Sequence, residues 1–193
     1  VYNTVKEQMK EQYDLNVLDS LGFNNTYTLA IRKDTAEQYH IKTISDLCKV
    51  SQQLTFSPTL MFMEREDCWI GLQKAYPIQF KQTVPIDGAP RYTALMNNEC
   101  DVIDAYSTDG LLKKFDLQVL EDDLNFFLPY HAIPIVNNTI VDEYPEVVDL
   151  INQLQNYLND DVMVELNYQV DELNKKTSDV AKQFLIENKL INE

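Results

Sequence analysis

The sequence predicts an α/β protein, and three observations carry that expectation. Short apolar segments near residues 27–32, 54–56, 79–84, 100–106 and 117–120 read as strands. Between them lie segments whose apolar residues recur at helical spacing, an alternation that points to βαβ units around a sheet. At 193 residues, 45% hydrophobic and 10% aromatic, the chain has enough apolar material to bury a core, as one large domain or two small ones.

Val1, Val5 and Met9 share one helical face at the start, and residues 13–18 lead as a short extended piece into a Gly-Phe-Asn-Asn turn at 22–25. Tyr27, Leu29 and Ile31 then alternate with Thr28, Ala30 and Arg32, which predicts a strand with one buried face. Asp34 is expected to cap a helix over 35–39, and Thr43 with Asp46 a helix over 44–50. A loop is expected over 57–69, a helix over 71–76 ended by Pro77, and another over 89–96 stopped by Asn97-Asn98. Residues 100–106 read as a buried strand, with Thr108 and Asp109 capping a helix near Gly110. A return strand is expected over 130–136. Beyond it, Pro145 opens a helix with Val147, Ile151, Leu154 and Leu158 on one face, another covers 161–168, and Thr177 caps the last.

With 16 basic against 31 acidic side chains, the net charge is −15. That balance argues against a nucleic-acid partner, whose phosphates demand clustered Lys and Arg. Cys48, Cys68 and Cys100 form no CxxC pair and read as small buried groups, with no metal site or cofactor expected. No apolar run reaches the ~18 residues of a membrane span. Starting at Val1 rather than Met, the chain reads as processed or excised, so that any export signal lies upstream.

The stretch from Leu21 to Lys33, with Glu64-Arg65-Glu66-Asp67, Tyr106-Ser107-Thr108-Asp109-Gly110 and Pro129-Tyr130, resembles the substrate-binding proteins of osmoprotectant ABC importers. These capture glycine betaine, choline, carnitine and related solutes. The resemblance implies a periplasmic-binding-protein-like fold lacking an N-terminal part of about 80 to 100 residues. Residues 1–30 would be a remnant of lobe 1 with the first crossing strand, 31–130 lobe 2, and 131–193 the return strand and C-terminal helices of lobe 1. It further implies an ABC permease as partner, an extracytoplasmic location at the bacterial surface or in the periplasm, and membrane association only through an absent anchor or a fused permease.

A quaternary ammonium has no N–H to donate, so electron-rich ring faces must hold it, at about 0.5–2 kcal/mol per contact. The family builds such a cage from tyrosines, and Tyr27, Tyr106 and Tyr130 match its positions. Their placement at strand ends suits a cleft. Arg65 matches a charged loop at the cleft mouth, where its planar donor fork would hold the closed state or meet a ligand carboxylate; a local ion pair with Glu64, Glu66 or Asp67 is the structural alternative. Asn24 and Thr108 complete the candidate binding set, with Thr26, as residues that line the cleft or satisfy local backbone. Trp69 is expected to pack under the loop, and His131 to sit as a satisfied strand residue.

The departures Cys68-Trp69, Ser57 and His131 leave the solute open, so ergothioneine stands beside the simpler betaines. An amino acid is the other ligand alternative, but it would require a carboxylate-and-amine clamp. An enzyme is not expected: His40 and His131 are the only histidines, no GxSxG, HExxH or phosphate-binding glycine loop occurs, and Asp101 and Asp104 point to opposite sides of their strand.

Overall fold

The computed structural model describes residues 2–192, so the expected place of Val1 on the first helical face lies outside the described residues. The chain opens with α1 (Tyr2–Tyr13) and the short strand β1 (Leu15–Val17). The alternating stretch becomes β2 (Tyr27–Ile31), followed by α2 (Lys33–Tyr39) and α3 (Ile44–Cys48). Next come β3 (Thr55–Phe56), α4 (Leu60–Glu64), α5 (Trp69–Ala75), β4 (Gln82–Thr83) and α6 (Pro90–Met96). Then β5 (Val102–Tyr106), α7 (Gly110–Lys114), β6 (Gln118–Val119) and β7 (Ile135–Asn137) complete the strands. Four helices close the chain: α8 (Asn138–Glu143), α9 (Glu146–Asn152), α10 (Asp160–Asp171) and α11 (Thr177–Glu187).

Five strands form a mixed sheet in the order β4-β3-β5-β2-β6. Here β3 runs parallel to β4 and β5, while β2 runs antiparallel to both β5 and β6. The expectation of one buried face on β2 is corrected: all five of its residues are buried. Leu29 and Ile31 enter one core with Phe56, Phe62 and Trp69, whereas Ala30 enters a second with Tyr92, Leu95 and Ile103. The polar half of the alternation is small enough, as Thr28 and Ala30, to be covered from the other side.

Helix starts decide several other corrections. Thr43 and Asp46 form the expected reciprocal capping box of α3. Asp34 instead lies in the first turn of α2 and Arg32 takes the cap position, without a side-chain bond. The expected loop at 57–69 contains α4, whose start Thr59 caps by accepting from the Phe62 N–H. Asp109 occupies the cap position of α7 but makes no capping bond, and α11 begins at Thr177 with Lys176 as its cap residue. The helix expected after Pro145 ends at Asn152 and continues as a 3-10 turn over Gln153–Asn156. The return strand is shorter than 130–136: its ladder with β1 starts at Ile135, antiparallel, and before it only His131 pairs, as a single bridge to Asn24.

Between the β1–β7 pair and the larger sheet, two chain segments cross side by side. The Leu18, Leu21 and Asn25 N–H groups donate to the carbonyls of Pro134, Ala132 and Tyr130. Gly22 turns there at φ +92°, and any Cβ on it would lie 2.6 Å from the Leu158 carbonyl oxygen. On the far side α10 packs on α7 at Gly110, where a Cβ would meet the Tyr168 backbone nitrogen at 2.6 Å. No helix among the described residues is long and apolar enough to cross a membrane.

Candidate functional site

Tyr27 begins β2 and Tyr106 ends β5, and the two are direct partners in the antiparallel register. Cross-strand partners project from the same face, so the rings meet with centroids 4.6 Å apart and planes tilted by 34°. Tyr130 comes from the second crossing segment, held there by its N–H bond to Asn24 Oδ1 at 2.6 Å. Its ring stands perpendicular to that of Tyr27, at 6.3 Å and 89°. Three tyrosines far apart in sequence therefore converge on one place.

Every hydroxyl of the trio has a protein partner. Tyr106 donates to the Tyr27 oxygen at 2.8 Å, and Tyr27 in turn to Met61 Sδ at 3.9 Å. Tyr130 donates to Asp67 Oδ2 at 2.6 Å. Burial, with the Tyr106 hydrogen bond, pushes the Tyr27 hydroxyl well above the usual phenol range. The Asp67 hydrogen bond likewise raises Tyr130. Tyr27 and Tyr130 are thus held as neutral phenols at physiological pH.

Arg65 grips Asp67 with both fork positions, Nε to Oδ1 at 2.8 Å and Nη2 to Oδ2 at 2.5 Å. The expected local ion pair is therefore present, with Asp67 as its acceptor. This bidentate bond, joined by the Tyr130 hydroxyl, holds the Asp67 carboxyl far below the usual carboxylate range. The Arg65 guanidinium carbon also lies 5.9 Å from the Tyr27 ring centre. Tyr27 is only 5% exposed, so a protein cation already occupies a place at its ring.

The other candidates serve the frame. Asn24 receives the Tyr130 N–H on its side chain, the Ser107 hydroxyl on its carbonyl, and donates its own N–H to Asp160 Oδ1. Thr108 is buried and donates to Asn25 Oδ1 at 2.6 Å. Thr26 donates its hydroxyl to the Leu128 carbonyl. Trp69 is buried, stacked on Phe80 and tilted against Phe56, away from the trio. His131 is exposed and bridges Asn24.

Sequence reasoning missed two contributors. Asp109 was expected to cap α7; its Oδ2 instead accepts the Tyr106 N–H at 3.1 Å and the Tyr92 hydroxyl at 2.6 Å, fixing the end of β5. Met61 supplies the sulfur that meets the Tyr27 hydroxyl, on α4, which stands where a loop is expected. The Thr59-to-Phe62 capping geometry was the signal available for that helix. Among the described residues, no group of three His, Cys, Asp or Glu side chains is placed to hold a metal ion.

Two crossing segments beneath converging aromatic rings define a periplasmic-binding-protein-like solute-binding domain. The chain belongs to the family of substrate-binding domains of ABC-type glycine betaine transport systems, whose model matches residues 1–187. It is 40% identical over 185 residues to the carnitine transport binding protein OpuCC of Listeria monocytogenes, covering 95% of this chain and 60% of that one. It is 39% identical over 184 residues to the ergothioneine transport permease/ergothioneine binding protein EgtU of Helicobacter pylori (strain G27), covering 95% and 33%. The chain thus spans between a third and three-fifths of these relatives. A crystal structure of a glycine betaine/carnitine/choline ABC transporter superposes with a TM-score of 0.91 at 35% identity, covering 98% of this chain and 70% of that one. Apo YehZ from Escherichia coli superposes with a TM-score of 0.81 at 25% identity, covering 98% and 71%.

Proposed function

We propose that this chain is the solute-capturing part of an extracytoplasmic ABC-importer component whose ligand is a quaternary ammonium compound of the choline, glycine betaine or carnitine type. The observation that carries the reading is the convergence of Tyr27, Tyr106 and Tyr130 with every hydroxyl already bonded to protein. A site built of such rings has few free donors, which suits a cation that accepts no hydrogen bond, and a solute cation would take the place that the Arg65 guanidinium now holds at the Tyr27 ring. In this reading Arg65 would turn from Asp67 to meet a ligand carboxylate, while Asn24 and Thr108 hold the segments that carry the rings.

Capture works by closure: 1–30 and 131–193 form one lobe with the remainder of the protein, 31–130 the other, and the solute enters between them. Bending falls in the paired crossing segments around 18–26 and 128–134, in preference to β2, whose residues are all buried. The ligand shifts this equilibrium only through contacts it makes better in the closed state, and the closed form docks on the permease. A net charge of −15 argues against nucleic acid as a partner.

A second reading, ergothioneine, rests on the similar identity to the relative named for that solute. Calorimetric titration of the full-length protein with choline, glycine betaine, carnitine and ergothioneine decides between them. Saturable heat with one solute, weakened at least about tenfold by Tyr106→Ala and by Tyr130→Ala, is the expected result. Silence with all four would remove the quaternary ammonium assignment.

A further inference from the structure

Resting on the proposed quaternary-ammonium site, we propose that Arg65 and Asp67 form a charge-balancing pair that sets whether the site prefers a plain cation or a zwitterion. Asp67 is the new participant: its carboxylate takes both fork positions of Arg65 and the Tyr130 hydroxyl at once. Arg65 in turn stands 5.9 Å from the centre of the Tyr27 ring. One positive and one negative charge therefore sit beside the rings and cancel there. Both side chains are partly exposed, at 40% and 28%, so an entering solute can reach them.

The consequence follows from charge alone. Neutralising Asp67 leaves the guanidinium uncompensated beside Tyr27, which opposes a trimethylammonium head but attracts a carboxylate tail. Removing Arg65 leaves an uncompensated carboxylate, which favours a cation without a tail and opposes a zwitterion. Asp67 also holds Tyr130 at its angle to Tyr27, so it acts as a positioning residue as well as a charge.

The test is the ratio of choline to glycine betaine dissociation constants, measured on the full-length protein for the unaltered form, Asp67→Asn, Arg65→Ala and the double variant Arg65→Ala/Asp67→Ala. Circular dichroism melting of each variant monitors folding. Asp67→Asn is expected to shift the ratio about tenfold toward glycine betaine, and Arg65→Ala about tenfold toward choline, as a unit charge near the solute would produce. The double variant returns the ratio close to that of the unaltered protein, even where both affinities fall. Equal losses for both solutes in the single variants would overturn the proposal and leave the pair a structural brace. Silence of the unaltered protein toward choline and glycine betaine would overturn the pair's selectivity between them, and silence toward carnitine and ergothioneine as well would overturn the quaternary-ammonium reading itself.

Discussion

Asp104 shows what one buried carboxylate does behind the rings. It is 2% exposed on β5, two residues before Tyr106, and accepts the Thr59 N–H at 2.8 Å and the Thr59 hydroxyl at 3.0 Å. Arg91, also buried, approaches it at 3.5 Å and donates Nε to its backbone carbonyl at 2.9 Å. Burial raises the Asp104 carboxyl above the usual range, and the Arg91 charge opposes that shift. Breaking one side of a buried pair leaves the other uncompensated. Asp104→Ala is therefore expected to lower unfolding stability by about 3–5 kcal/mol in urea titration. A loss below about 1 kcal/mol would show that Arg91 finds its compensation in Asp109, 3.6 Å away, instead.

Among the four glycines, Gly71 in α5, which faces the turn from α4, has the least room. A Cβ on Gly71 would lie 2.1 Å from the Glu66 carbonyl oxygen and 2.9 Å from the Phe126 ring. Because that contact is with backbone, Gly71→Ala must push α5 away from the very segment that holds Arg65 and Asp67. The expected outcome is a loss of about 1–3 kcal/mol in stability, with weaker binding of whichever solute the unaltered protein takes. Unchanged binding at reduced stability would separate α5 packing from the site.

The same elements show what was legible in the sequence. The capping box of α3 was readable because both partners lie within four residues. The α/β alternation was readable because each element carries its own period. Tyr27 and Tyr106 were nominated by resemblance, but their contact depends on an antiparallel pairing across 79 positions that no local pattern encodes. The same holds for Asp67 and Tyr130, 63 positions apart. α4 went unread because Leu60-Met61-Phe62-Met63 shows no polar face, only its Thr59 cap.

Across the whole molecule, 31 acidic side chains pose a contest between specific ties and general repulsion. Several carboxylates are held low by their partners, Asp46 within its own helix start and Asp67, Asp123 and Glu165 by contacts that include distant segments. Lys49 and the Lys42 backbone bring Asp46 down to about 2, Arg65 lowers Asp67, Ser45 lowers Asp123, and Lys113 lowers Glu165, which ties α10 to α7. A folded-state value below the unfolded one contributes stability that is fully present above the unfolded value, near pH 4, and is lost as pH falls through the folded value. Asp104, raised by burial, works the other way, since its cost is relieved on protonation. So is the mutual repulsion behind the net charge of −15. These groups lie near solvent, where screening keeps each tie small, so the thermal midpoint is expected to stay level between about pH 5 and 7.5 and to decline gradually below about pH 4. Calorimetric melts across that range check it. A midpoint that climbs steadily on acidification from pH 7 to pH 3 would mean that relief of repulsion outweighs the ties.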